Sequence, residues 1–163
     1  MIDDIAGIRT ILQEVRTIAV VGLSANWYRP SFFAAKYLQE HGYKIIPVNP
    51  RYESVLGETC YPNLESIPEP VDVVDLFQRS ESVPPFVDSA INIGAKIIWL
   101  QLGVHHSEAI EKAETAGLKT VSNRCMKIEH GRLLGGLSLI GVNTGVISSK
   151  RPTWFPHSGG HRA

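Results

Sequence analysis

The chain has 163 residues, enough for one domain with a sizeable core. Its 16 lysines and arginines balance its 16 aspartates and glutamates, so no global field favours nucleic acid or an anionic membrane, and any anion site must be local. No apolar run approaches the length of a bilayer span, the acidic opening to Gln13 lacks the layout of a signal peptide, and Cys60 and Cys125 lie far apart without a CxxC, which points to a reducing cytoplasm.

In chain order, Ile5, Ile8, Ile11, Leu12 and Val15 fall near helical spacing, with Asp3 or Asp4 as the cap. A continuous apolar run, Ile18 to Val21, predicts a strand buried on both faces and ends at Gly22. An amphipathic segment from Phe32 to His41 predicts a helix stopped by Gly42, and Tyr43 to Val48 a second strand. From Tyr52 to Pro70 the periodicity weakens, and the segment is expected to be a connection with at most short local helices. A third strand is predicted over Val71 to Phe77, then a helix capped by Ser82 that tolerates Pro84 and Pro85 in its first turn and ends at Gly94. Lys96 to Gln101 is the fourth strand, Ser107 to Ala116 a helix, Leu118 to Val121 a shorter fifth strand, and Arg124 to His130 a short closing helix. This alternation predicts an α/β fold, a mainly parallel five-stranded sheet with helices on both faces in three layers. Residues 1–134 form the expected domain, and 135–163, rich in glycine, a flexible tail.

In such sheets ligands bind outside the carboxyl ends of the strands, near the switch in strand order. Those ends carry Gly22, Asn49, Phe77 and Gln101. Gly22 suits either close approach of a phosphate or a turn with positive φ. Ser24 and Ser31 flank the turn, and Ser31 is equally a helix cap or a phosphate contact. Arg29, followed by Pro30, puts a guanidinium beside a helix amino terminus, where the dipole already favours an anion. The turn has one glycine where the dinucleotide fingerprint has three, and Asn49-Pro50-Arg51 offers no acid for ribose hydroxyls. Arg51 suits a ribose carrying a further phosphate, as in coenzyme A or NADP. Arg79 follows Phe77 at a strand end expected to face the cleft, which makes it a candidate phosphate contact. Gln101 is polar at the end of a buried strand, and its partner is either a ligand amide or a neighbouring loop. Gly103 permits close backbone approach. His105 and His106 lack companions at metal spacing, so no metal site is expected. Cys125 lies between Arg124 and Lys127, cations that lower a thiol pKa if they converge on it, against the commoner case of a buried inert cysteine. No set of residues stands out as catalytic.

Taken together, Ala19–Ser24, Arg29–Ser31, Gly42–Tyr43, Ile46–Pro50, Val71–Arg79, Trp99–Gly103 and Asn123–Cys125 resemble the small stand-alone CoA-binding proteins. Those in turn are similar to the CoA-binding domain of the succinyl-CoA synthetase α-subunit. The resemblance covers roughly Ile11 to Leu134, most of the chain. It implies a Rossmann-like domain that binds coenzyme A or acyl-CoA. Gly22, Ser24, Arg29 and Ser31 would hold phosphates, and Asn49, Pro50 and Arg51 would lie near the adenosine. Phe77 and Arg79 would flank the ligand, with Gln101 and Gly103 at the fourth-strand rim. The synthetase's phosphohistidine domain and nucleotide-grasping subunit have no counterpart in so short a chain, so a binding protein is expected rather than a ligase. Two alternatives stand beside it: an NADP-dependent oxidoreductase with Arg51 on the 2′-phosphate, and a redox role through a Cys125–CoA mixed disulfide. Edge strands and exposed helices are compatible with a homodimer.

Overall fold

The computed structural model describes residues 1–136. Helix α1 (Ile5–Glu14) starts at Asp4, whose carboxylate accepts from the Gly7 amide at 2.8 Å. Strand β1 (Thr17–Val21), helix α2 (Pro30–Glu40) and strand β2 (Lys44–Val48) form the first βαβ unit. A small hairpin, β3 (Ser54–Val55) and β4 (Glu58–Thr59), precedes β5 (Val73–Leu76), α3 (Val83–Asn92), β6 (Ile97–Leu100), α4 (Ser107–Thr115), β7 (Lys119–Val121) and α5 (Met126–Leu133).

The main sheet has five strands in the order β2-β1-β5-β6-β7, all neighbours parallel. The apolar runs divide by the strand period of two. Ile18, Val20, Val73 and Trp99 pack with Ile8, Leu38 and Met126, on the face of α1, α2 and α5. Ala19, Val21, Val74, Leu76 and Ile98 pack with Val87, Ala90, Ile110 and Ala113, on the face of α3 and α4. The result is the expected three-layer, doubly wound, Rossmann-like α/β fold. The chain leaves β1 for one face and β5 for the other, so the strand order switches between these two neighbours.

The structure corrects three local expectations. The 52–70 segment is more than a connection with short helices: besides a 3-10 turn (Leu64–Ser66) it holds the β3–β4 hairpin. Leu56 (φ 56) and Gly57 (φ 76) form its turn, both with positive φ as a type I′ hairpin requires. Strands of two residues leave no periodic trace in a sequence, and leucine is a poor signal for a left-handed position. Ser82 makes no side-chain cap bond; it closes a 3-10 turn (Ser80–Ser82) that runs directly into α3. The closing helix starts at Met126 and extends to Leu133, burying Gly131, Arg132 and Leu133 beyond the predicted end at His130. Of the tail expected over 135–163, all but Gly135 and Gly136 lies outside the described residues.

Pro47 sits in β2, the edge strand, where a missing N–H is tolerated. Tyr61 partly covers that edge: its amide donates to the Pro47 carbonyl and its carbonyl accepts from Asn49, both at 2.9 Å. Buried Tyr43, just before β2, donates its hydroxyl to the Leu12 carbonyl at 2.6 Å and so fastens α1 to the sheet. Burial pushes its own pKa up to about 12, which keeps the hydroxyl protonated as that bond requires. Tyr43→Phe should cost about 1–2 kcal/mol in urea unfolding, because the helix carbonyl loses its buried donor; an unchanged midpoint would show that water replaces it.

Candidate functional site

At the carboxyl ends of the strands lies a cavity of ≈ 1030 Å³. It is bounded by Gly22 after β1, Asn49, Pro50 and Arg51 after β2, Phe77 and Gln78 after β5, and Gln101 and Leu102 after β6. The first turn of α2 adds Pro30, Ser31, Phe33 and Ala34, and α5 adds Lys127 and Ile128, with Cys125 just before it.

Gly22 has φ +84 and donates its amide to the Val48 carbonyl at 2.9 Å. A Cβ there would stand 2.6 Å from the Phe77 carbonyl oxygen and 2.9 Å from Gln78 Nε2. The glycine is therefore demanded by the protein's own backbone at the switch point, through both conformation and space. The loop that follows holds itself in shape. Ser24 Oγ accepts from the Asn26 amide at 3.1 Å, and Asn26 Oδ1 accepts from the Tyr28 amide at 3.0 Å. Ser31 Oγ accepts from the Ser24 amide at 3.2 Å. Each serine hydroxyl spends an acceptor site on the loop and keeps its proton to donate.

Ser31 is not the helix cap. Arg29 holds that position, Pro30 opens the helix, and no side chain caps it. The positive end of the α2 dipole thus faces the cavity with the Arg29 side chain beside it. Among the described residues neither Arg29 nor Arg51 makes an ion pair, and both are exposed at the cavity wall. Asn49 is used structurally: Nδ2 donates to the Leu23 carbonyl and Oδ1 accepts from the Arg51 amide, both at 3.0 Å. This Asx turn sets the direction in which Arg51 leaves the sheet.

Ten of the expected site residues come together here: Gly22, Ser24, Arg29, Pro30, Ser31, Asn49, Pro50, Arg51, Phe77 and Gln101. Two do not. Arg79 is exposed ahead of the Ser80–Ser82 turn, outside the cavity; the chain turns away after Phe77 and Gln78 takes the lining position. Gly103 (φ +79) is exposed on the following loop, its amide donating to Asn123 Oδ1 at 2.8 Å. The sequence reading missed the aromatic walls Tyr28, Phe33, Tyr52 and Phe86, and the contribution of Lys127. Tyr28 and Phe33 bracket Arg29–Ser31 and were legible as its neighbours; Phe86 and Tyr52 carried no signal apart from general hydrophobicity.

Cys125 shares the cavity, but the cations do not converge on it. The Arg124 guanidinium turns to Asp3 and Glu129 instead. Burial pushes the Cys125 thiol up, with the Asp75 carboxylate adding to the effect against the amides of Ile128 and Lys127 and the Lys127 charge. A raised thiol pKa lowers the thiolate fraction available for disulfide exchange near neutrality.

Asp75 is the unexpected residue. It lies in β5, 0% exposed, and accepts from Gln101 Nε2 at 2.7 Å and 2.9 Å on its two oxygens. Burial pushes its pKa up to about 7, against the Gln101 hydrogen bond. The acid was visible in an otherwise apolar run, and the strand period places it with Val73 rather than with Leu76. In the folded protein Asp75 keeps its proton to about pH 7, whereas in the unfolded chain it is lost near pH ~4. The stability it contributes is complete below the unfolded value and is lost as pH rises to the folded one. Relative to Asp75→Asn, the wild-type protein should therefore lose stability from pH 5 to 7 and stay level above pH 8, as read by urea unfolding. A constant difference across that range would mean the carboxyl is already ionised at pH 5.

A family model described as a CoA binding domain matches residues 16–131. The uncharacterized protein YneT of Bacillus subtilis (strain 168) is 37% identical over 125 residues, covering 77% of this chain and 93% of its own length. The ADP-forming acetate–CoA ligase I of Archaeoglobus fulgidus is 28% identical over 121 residues, 68% of this chain but 18% of the ligase. Among solved structures, a hypothetical protein from Pyrococcus horikoshii OT3 superposes with TM-score 0.79 and 47% identity, covering 82% of this chain and 94% of that one. No described helix is long and apolar enough to cross a membrane.

Proposed function

The chain belongs to the CoA-binding domain family, and we propose that it binds coenzyme A or an acyl-CoA across the carboxyl ends of β2, β1, β5 and β6. One observation carries the reading: a single cavity joins an uncapped helix amino terminus and two guanidinium groups, Arg29 and Arg51, to a long polar and aromatic trough. The pyrophosphate would sit at the α2 terminus, receiving the Ser24 and Ser31 hydroxyl protons and the charge of Arg29. Arg51, at the sheet edge, would read the 3′-phosphate. The trough towards Gln101 and Cys125 would take the pantetheine arm.

The role proposed is binding. The acetate–CoA ligase match spans 18% of that enzyme, so its reaction is not carried over to this chain. An NADP-dependent oxidoreductase would use the same Arg51 on a 2′-phosphate, and competition by NADPH is the outcome that would favour it.

Calorimetric titration tests the reading. The wild-type protein should bind coenzyme A, and Arg29→Ala should weaken it about tenfold through loss of a charge-assisted phosphate contact. Arg51→Ala should remove most of the preference for coenzyme A over dephospho-CoA. Absence of binding by the wild type at millimolar coenzyme A, or equal affinity for both ligands before any substitution, would overturn the respective assignments.

A further inference from the structure

Gln101 is 4% exposed, yet it lines the cavity. Its Nε2 is committed to the two oxygens of Asp75. Among the described residues its Oε1 accepts no hydrogen bond, and the residue that carries it lines the cavity. A buried amide with one half fastened from below and the other half unmet is a directed acceptor, and its natural complement is an N–H group on a ligand.

Sheet order says which part of a ligand meets it. Arg51 follows the edge strand β2, and Gln101 follows β6, three places along through β1 and β5. At about 4.8 Å per strand the two ends lie roughly 14 Å apart. A ligand whose phosphates occupy the Arg51 and α2 end therefore reaches Gln101 with its other arm.

We propose that Gln101, oriented by Asp75, accepts a hydrogen bond from an amide N–H of the pantetheine arm, so that this end of the cavity selects ligands bearing that arm over plain adenine nucleotides. The inference rests on the coenzyme A reading above. Asp75 is a positioning residue: an ionised carboxylate can only accept, so it turns the Gln101 donor group inward and leaves Oε1 for the ligand. Once protonated, Asp75 has a proton of its own to offer Oε1, and the acceptor is drawn away. Burial places that change at about pH 7. Opposite Asp75 in register stand Val20 of β1 and Trp99 of β6, neither titratable. Among the described residues the titratable group coupled to it is Cys125, at the start of α5.

The test is calorimetric titration with two probes, coenzyme A and adenosine 3′,5′-bisphosphate, which lacks the pantetheine arm. Gln101→Met keeps the side-chain volume and Gln101→Ala removes it, so agreement between the two separates the acceptor from packing. At pH 8 both variants should bind coenzyme A about tenfold more weakly than wild type and bind adenosine 3′,5′-bisphosphate as wild type does. At pH 6 the coenzyme A penalty should shrink to about two- to threefold, and in an Asp75→Asn background it should be the same at both pH values. An unchanged coenzyme A affinity at pH 8, or an equal loss for both probes, would overturn the contact. A penalty independent of pH in the wild-type background would overturn the part given to Asp75. If wild type binds neither probe, the coenzyme A reading fails first and this inference with it.

Discussion

The close passage of two backbones at the switch point shapes everything around the cavity. β1 is covered on both faces and flanked by β2 and β5, so its carboxyl end emerges already crowded. The chain escapes through Gly22, whose φ of +84 and missing Cβ let it pass the Phe77 carbonyl. From there the chain turns to α2 on one face, while β5 leads to α3 on the other. The cavity is the gap these two departures leave. An alanine at Gly22 would combine a left-handed backbone with a backbone clash, so the residue is architectural before any ligand arrives.

The electrostatics of this neutral chain are organised along the strand direction. Acidic groups near the amino ends of the strands are occupied: Asp72 accepts from the Arg16 and Thr17 amides and pairs with Lys96, while Glu69 pairs with Lys44. Farther round, Glu129 is enclosed between Arg124 and Arg132. At the carboxyl ends Arg29, Arg51 and Lys127 border the cavity together with the start of α2. A zero net charge thus coexists with a local site suited to anions, in which desolvated Asp75 sits below the far end and not among the guanidinium groups.

The two helices that border the cavity are also joined away from it. Tyr37 of α2 shares a hydrogen bond of 3.1 Å with His130 Nδ1 of α5, and His130 packs edge-on to Tyr43 and His41. Burial, with a smaller contribution from His41, pushes the His130 pKa down and favours the neutral ring in this aromatic setting. α5 thereby becomes part of the wall, which is how Cys125, Lys127 and Ile128 come to line a cavity built mainly by the first βαβ unit and the strands beside it.

The sequence alone determined the alternation of strands and helices, the parallel sheet and most residues at its carboxyl rim. These follow from apolar runs, helical spacing and glycine punctuation, all of which act over a few neighbouring residues. It also carried Arg29 and Arg51, since a cation beside a helix start or a strand end is a local pattern. Only the tertiary structure decided that Arg79 turns away while Gln78 lines the wall, that Arg124 serves Asp3 and Glu129 instead of Cys125, and that Gln101 rests on Asp75. Each of those outcomes depends on which distant group a side chain meets, and such partners, separated by 26 residues for Gln101 and Asp75 and 121 for Arg124 and Asp3, are chosen by packing. The β3–β4 hairpin was likewise invisible, because strands of two residues are held by their neighbours in the fold and not by a pattern of their own.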